Sequence, residues 1–425
     1  MTDPNKSLWT ATARPAESDE TSHETLHGTH RTDVVIIGAG FTGLTAALKL
    51  AEGGAKAIVL DSVEPGFGAS GRNGGQVIPG LKYDPDQVDQ MFGEASTDFI
   101  GRAADTVFEL IDKYRIDCSP VRQGWIQPTI KQAHLPTLKR RLLQWQNRGC
   151  NAEWLDADRM QKLTGSPCFV GGWIDYRAGS LHPLNFVQGL ARAATDAGVT
   201  ISSQSEATSL QRNGDNWIVK TAAGAEIIAS QAVIATNGYS GSLLPKLRAT
   251  IVPANSFQIA SEPLSESQLN EILPTRAVVS DTRRLANYFR ISPDNRLMLG
   301  GRGTFSEPAS LKDYGKMMAD RRMLFPQFPD LKVDYAWSGR IAMNREHLPH
   351  IHQPMPGLTM ALGFNGRGVA MGCSIGGAIG EHLLDSRVRL PLPFSEMKPL
   401  PLHAWHPFYA TLAIWYYRLR DQLEN

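Results

Sequence analysis

Three glycines and one carboxylate carry the first chemistry legible in this chain. Gly38, Gly40 and Gly43 follow the apolar run Val34 to Ile37 directly, and Asp61 closes a second apolar run, Ala57 to Leu60. A G-x-G-x-x-G turn between a buried strand and a helix offers free amides and a helix N-terminus to a pyrophosphate. An acid about 20 residues further on accepts bonds from ribose hydroxyls. The expected chemistry is dinucleotide binding, with Asp61 on the adenosine ribose and the choice between FAD and NAD left to later segments.

Those segments follow. Gly66 to Gln76 holds five glycines in eleven residues, so its backbone can run close against a flat ring, and Ser70, Arg72, Asn73, Gly74 and Gly75 supply donors beside it. The run Ala232 to Gly238 ends in Ala-Thr-Asn-Gly, where Thr236 and Gly238 keep an approach to a cofactor open; Ala207, at the head of the preceding β-rich stretch, is placed with them. A second strand, turn and helix begins at Leu358, and its turn is Gly363-Phe-Asn365-Gly366-Arg367-Gly368-Val369. Two such turns and a glycine loop after the ribose strand favour FAD over a plain nicotinamide site.

Periodicity predicts the elements that position these residues. The continuous apolar strands suit a parallel sheet buried on both faces. Asp84 to Asp117 reads as one long or two short helices, Gln132 to Arg148 as another, with Lys139, Arg140 and Arg141 on a solvated face. Gly172 to Tyr176 reads as a strand, and Leu184 to Ala197 as a helix entered through His182, best taken as a turn or cap. Short β-rich runs from Val199 to Ile228 form a meander. From Ala249 to Trp337 the pattern becomes an antiparallel sheet, and Tyr288 and Arg290 share one strand face there.

The fold expected is α/β with two domains: a Rossmann-type cofactor domain with a parallel sheet, and an inserted antiparallel-sheet substrate domain. The boundaries expected are a polar extension at 1–31, a discontinuous cofactor domain at 32–84, 150–248 and 338–390, a substrate domain at 85–149 and 249–337, and a tail at 391–425. At 425 residues the chain is long enough for two domains. Its net charge of +1 gives no footprint for nucleic acid. Cys118, Cys150, Cys168 and Cys373 lack metal or disulfide spacing, so no metal is expected and the compartment expected is cytoplasmic. Trp9 breaks the polarity of the N-terminal extension and is read as an anchor. Phe408, Leu412, Trp415, Leu419 and Leu423 fall at helical spacing, for packing on the body or for peripheral contact with a membrane or electron carrier.

The turn at Gly38 to Gly43 followed by Gly68-Ala-Ser-Gly-Arg-Asn-Gly-Gly75 resembles the FAD-dependent D-amino acid oxidase superfamily, in the branch of γ-glutamylputrescine oxidoreductases and L-pipecolate oxidases. The resemblance implies an amine oxidoreductase: a small-molecule amine as substrate, hydride transfer to flavin N5, and O₂ or an electron carrier as acceptor. It places Tyr288 and Arg290 where they would position substrate, Arg290 on a carboxylate. In amino-acid-specific relatives the second residue after Trp-x-Gly is an arginine that clamps the substrate carboxylate; here Trp337-Ser-Gly339 is followed by Arg340 and then Ile341. That departure favours a longer amine of γ-glutamylputrescine type, with a cyclic or secondary amino acid such as L-pipecolate as the alternative. The lysine that sarcosine oxidases carry after the last glycine turn is Ala370 here, and no cysteine lies between Trp337 and Leu358, so noncovalent FAD is expected.

Overall fold

The computed structural model describes residues 7–14, 23–283, 285–406, 408–409 and 411–412. Its architecture grows from Gly28–Ile37, whose last four residues are fully enclosed. This strand pairs in parallel with Ala225–Ile234 on one side and Ala57–Leu60 on the other. Outward from these lie Leu358–Leu362 and His350–Met355 at one edge and Thr200–Ser202 at the other. The inner pairings are parallel and the His350–Met355 edge is antiparallel. Ala207–Asn213 and Asn216–Thr221 fold back as a ribbon beside Ala225–Ile234. The runs at Glu226 and Ala232 expected as separate strands are one continuous strand.

Two helices cover one face of this sheet, Phe41–Glu52 and Gly368–Leu384. They touch almost backbone to backbone because Gly372, Gly376 and Gly380 form a stripe at helical spacing. A Cβ on Gly376 would stand 2.0 Å from Thr45 Oγ1 and 2.4 Å from the Thr42 carbonyl oxygen. The two glycine turns, more than 300 residues apart in the chain, are held side by side by this contact.

A second sheet runs Val333–Met343, Val252–Pro263, Arg296–Arg302, Tyr288–Ile291, Val278–Ser280, Trp125–Thr129, Gly171–Asp175, Ala152–Asp156. All its pairings are antiparallel except that of Val278–Ser280 with Trp125–Thr129. Sheet membership departs from the expected boundaries in two places. Ala152–Asp156 and Gly171–Asp175 belong to this sheet rather than to the cofactor sheet, and Val333–Met343 crosses the expected junction at 338. Gly171–Asp175 is buried throughout and takes Trp125–Thr129 and Ala152–Asp156 as partners, while Val333–Met343 pairs along its length with Val252–Pro263, pairings that local periodicity does not encode.

The stretch read as one or two helices is three, Pro85–Phe92, Glu94–Gly101 and Ala103–Lys113. The expected polar extension ends early, since the first strand starts at Gly28, and Leu8–Thr12 is a short capped helix whose Leu8 and Trp9 are buried. Near the C-terminus Phe408 and Leu412 are exposed; Trp415, Leu419 and Leu423 lie outside the described residues. Among the described residues no helix is long and apolar enough to cross a membrane.

Candidate active site

The first turn builds one end of the site. Gly38 has φ +109°, and a Cβ there would meet the Ala235 carbonyl oxygen at 3.0 Å, so the chain can leave its strand beside the next one only with glycine. A Cβ on Gly43 would fall 2.0 Å from the Gly38 carbonyl oxygen, which closes the helix onto the turn. Gly40 caps the Phe41–Glu52 helix, and the Phe41 amide donates to Ser70 Oγ at 3.0 Å. The glycine loop is thereby tied to the helix N-terminus. Asp61 accepts from the Ala39 amide at 2.9 Å and from the Val63 amide at 3.0 Å. Burial raises its pKa above the usual carboxylate range, and the two amides oppose the shift.

A cavity of about 420 Å³ opens at this point, lined by Gly38, Gly40, Asp61, Ser70, Thr236 and Gly368 among others. Asn73, Ala207, Asn365, Gly366 and Val369 line it too. Gly43, Gly75, Gly238 and Gly363 do not line it and act through the backbone. A Cβ on Gly238 would lie 3.1 Å from the Arg340 carbonyl oxygen, and the Gly363 amide donates to Asn237 Oδ1 at 3.0 Å. Asn237, with Tyr239, Ser205 and Glu206, was missed by the sequence reading. The only signal for Asn237 is its place inside Ala-Thr-Asn-Gly, since its φ of +44° depends on the turn.

A larger cavity of about 620 Å³ adjoins the first and shares Ala69, Asn73, Ile341, Asn365, Gly366 and Val369 with it. Arg72, Gly74, Tyr288 and Arg367 line this second space. Tyr288 lies between two glycines: a Cβ on Gly300 would collide with its ring at 2.1 Å, and one on Gly74 would reach it at 3.0 Å. Its hydroxyl shares a 2.6 Å hydrogen bond with Ser256 Oγ, and burial pushes its pKa up to about 12. The phenol therefore stays protonated and able to donate.

Arg290 is placed differently. It lines neither cavity, is enclosed behind the glycine loop, donates from Nη1 to the Gly75 carbonyl at 3.2 Å and lies 5.2 Å from the Trp9 ring centroid. Although it shares a strand face with Tyr288, Gly75 and the Leu8–Thr12 helix stand between it and the open space. Burial lowers its pKa to about 9. The loop's other carbonyls are claimed in the same way: Trp9 Nε1 donates to Asn73, and Gln258 and Trp337 both donate to Arg72. With these carbonyls turned toward the second sheet, the loop becomes a fixed ledge between the two cavities.

Two further expectations concern His182 and Arg141. His182 caps the Pro183–Asp196 helix by accepting from the Asn185 amide at 3.2 Å, the turn role read from the sequence. Arg141, expected on a solvated face, lines the larger cavity; its Nε donates to Asp84 at 2.5 Å and its Nη1 to Gln127 at 2.9 Å. Helical periodicity puts it on a polar face, and the second sheet turns that face inward.

The first glycine turn, the Asp61 carboxylate and the second glycine turn converge on one cavity with a roomier one adjoining it. That arrangement defines a dinucleotide-dependent oxidoreductase of the two-sheet flavin type. The comparisons give the family: residues 33–382 match the family described as "DAO: FAD dependent oxidoreductase", and the chain belongs to it. It is similar to "Probable oxidoreductase OrdL" of Haemophilus influenzae, 36% identical over 372 residues, covering 85% of this chain and 84% of the relative. It is 30% identical to "Gamma-glutamylputrescine oxidoreductase" of Escherichia coli over the whole of both chains. Among solved structures, glycine oxidase from Geobacillus kaustophilus superposes with a TM-score of 0.73 at 19% identity, over 88% of this chain and 99% of that one. L-proline dehydrogenase from P. horikoshii gives 0.72 at 17%, over 91% and 99%. The chain is an FAD-dependent oxidoreductase, and the glycine cradle, which added Cβ atoms would fill, fits that cofactor.

Proposed function

We propose that this enzyme oxidises the C–H bond next to an amine nitrogen, with a substrate of γ-glutamylputrescine type. The observation that carries the reading is the 620 Å³ cavity continuous with the cofactor cleft, with Ile341 at the shared wall in place of a carboxylate-clamping arginine. A space of this size takes an extended amine. The full-length similarity to a γ-glutamylputrescine oxidoreductase supports the same substrate class.

Gly38, Gly40, Ser70, Asn73, Thr236 and Gly368 would hold FAD, with Asp61 on the adenosine ribose and Asn365, Gly366 and Val369 where the two cavities meet. When bound, FAD supplies a two-electron acceptor that takes hydride at N5. The protein's residues do the rest. The glycine ledge fixes where the reacting carbon can lie, and the protonated Tyr288 hydroxyl orients the substrate by donating to it. The amine reacts with its lone pair free, since an ammonium has no electron pair to support loss of hydride from the neighbouring carbon. Loss of hydride and a proton leaves an imine, which water hydrolyses to a carbonyl compound and an amine, or which persists where it is cyclic.

FAD is held without a covalent bond in this reading. Neither Cys118 nor Cys373, both buried with thiols pushed well up by burial, lines either cavity. The four cysteines are unpaired, which suits a reducing cytoplasm. O₂ or an electron carrier serves as acceptor. Anaerobic mixing with polyamines, their glutamyl conjugates and cyclic amino acids tests the reading: glutamyl conjugates should bleach the flavin, and bleaching by short α-amino acids alone would overturn it.

A further inference from the structure

The larger cavity has an unbalanced wall. Six cationic side chains line it, Arg72, Lys82, Arg141, Arg283, Arg302 and Arg367, against the single carboxylate of Asp281. Three of the six are accounted for. Arg141 pairs with Asp84 and Arg283 with Asp281, both at 2.5 Å, and Arg72 is turned to the carbonyls of Phe67 and Ser338. Lys82, Arg302 and Arg367 make no ion pair among the described residues.

They arrive from three separate elements. Lys82 lies on the loop between Gln76–Val77 and Pro85–Phe92, Arg302 ends the Arg296–Arg302 strand, and Arg367 caps the Gly368–Leu384 helix. Arg367 and Arg302 are held in place without being neutralised. Arg367 lies 4.7 Å from the Trp125 ring centroid and spends one N–H on the Pro79 carbonyl at 3.1 Å. Arg302 lies 5.2 Å from the Phe305 ring centroid, and its Nε is buried with no hydrogen-bond partner. Lys82 keeps an exposed surface at the mouth of the cavity, yet local desolvation first, and then the charges of Arg367 and Arg302, lower its pKa to about 8, so the three repel one another across the space they line. Like charges gathered on one partly enclosed wall are costly unless an anion completes them.

We propose that Lys82, Arg302 and Arg367 form a carboxylate-binding subsite, and that the substrate is an amine whose far end carries a carboxylate. The inference rests on the amine-oxidising reading above and deepens it. The carboxylate recognition absent at Ile341 is supplied from another part of the wall. The same wall refuses a carboxylate-free di- or polyamine, whose second ammonium would have to sit among three cations.

The test uses the FAD-loaded enzyme and a matched pair of amines, N-glutarylputrescine and N-pentanoylputrescine, which differ by a carboxylate in place of a methyl group. The wild type should prefer the glutaryl amine by at least about tenfold in kcat/KM, the scale of one charge-assisted hydrogen bond. The preference should collapse toward unity in Arg302→Ala and Lys82→Met and be partly kept in Arg302→Lys. Glutarate alone should quench tryptophan fluorescence saturably in the wild type, through Trp125 beneath Arg367, and bind at least about tenfold more weakly to Arg302→Ala. Equal turnover of the two amines, or glutarate binding unchanged in the variants, overturns the subsite. If neither amine bleaches the flavin, the amine reading fails, and the glutarate titration still decides the subsite by itself.

Discussion

Replacing Trp9 tests how far the N-terminal segment supports the cofactor site. Trp9 is completely buried, packs edge-on against His182 at 4.7 Å and Trp337 at 6.1 Å, and lies under the Arg290 guanidinium. Its indole N–H donates at 2.8 Å to the Asn73 carbonyl of the glycine ledge. Truncating so large a side chain in a closed core costs about 3–5 kcal/mol. A five-residue helix has no independent stability to absorb that cost. Trp9→Ala should therefore undock the segment, leaving the Asn73 carbonyl and the Arg290 cation without their partner. The hydrogen bond alone accounts for about 1 kcal/mol and the cation–ring contact for about as much again. If half of that sum is felt by the ledge, FAD affinity falls by roughly fivefold. Trp9→Phe keeps most of the packing and should lose less. Titration of apoprotein with FAD, read by quenching of flavin fluorescence, gives both constants. A Trp9→Ala protein with wild-type FAD affinity and an unchanged thermal midpoint would refute the reasoning.

Three other outcomes are expected. Burial and the nearby Arg290 charge lower the pKa of His182 to about 4, below the ordinary 6.5, so the native state holds it neutral. The unfolded chain then takes up a proton that the folded one refuses between pH 6.5 and 4; this contribution to stability is complete above 6.5 and declines through that window by about 3 kcal/mol. Urea melts of His182→Asn, which keeps a capping side chain but does not titrate, should show a correspondingly flatter pH dependence. Gly376→Ala drives a Cβ into Thr45 and the Thr42 backbone and should lower the melting temperature sharply or prevent soluble expression. Gly377→Ala, one residue on with nothing within 4 Å, should be neutral or stabilising by up to about 1 kcal/mol. Acid precipitation should leave all the FAD in the supernatant; flavin remaining with the pellet would show a covalent link.

The cofactor half of the site was legible because its chemistry is local. A phosphate turn needs its strand, glycines and helix within a few residues, and Gly38 to Gly43 and Gly363 to Gly368 each contain all of them. The substrate half was not. Arg290 shares a strand face with Tyr288, which the alternation of side chains fixes, but what stands in front of that face is set by Gly75 and by Trp9, some 215 and 280 residues away in the chain. The cationic wall escaped for the same reason: Lys82, Arg302 and Arg367 have no spacing in common and meet only after both sheets have formed. The strand read at Gly172 to Tyr176 pairs in the second sheet although its span was expected in the cofactor domain, because pairing partners are non-local while periodicity is local.

The account stands on electrons passing from an amine to a flavin held between the two glycine turns. The direct measurement is the visible spectrum of the purified, FAD-loaded protein, recorded without oxygen while N-glutarylputrescine is added. Stoichiometric bleaching of the flavin band is expected, with a carbonyl product after hydrolysis and return of the colour when an acceptor is admitted. A protein that takes up no FAD, or whose flavin stays oxidised with every amine offered, would contradict it.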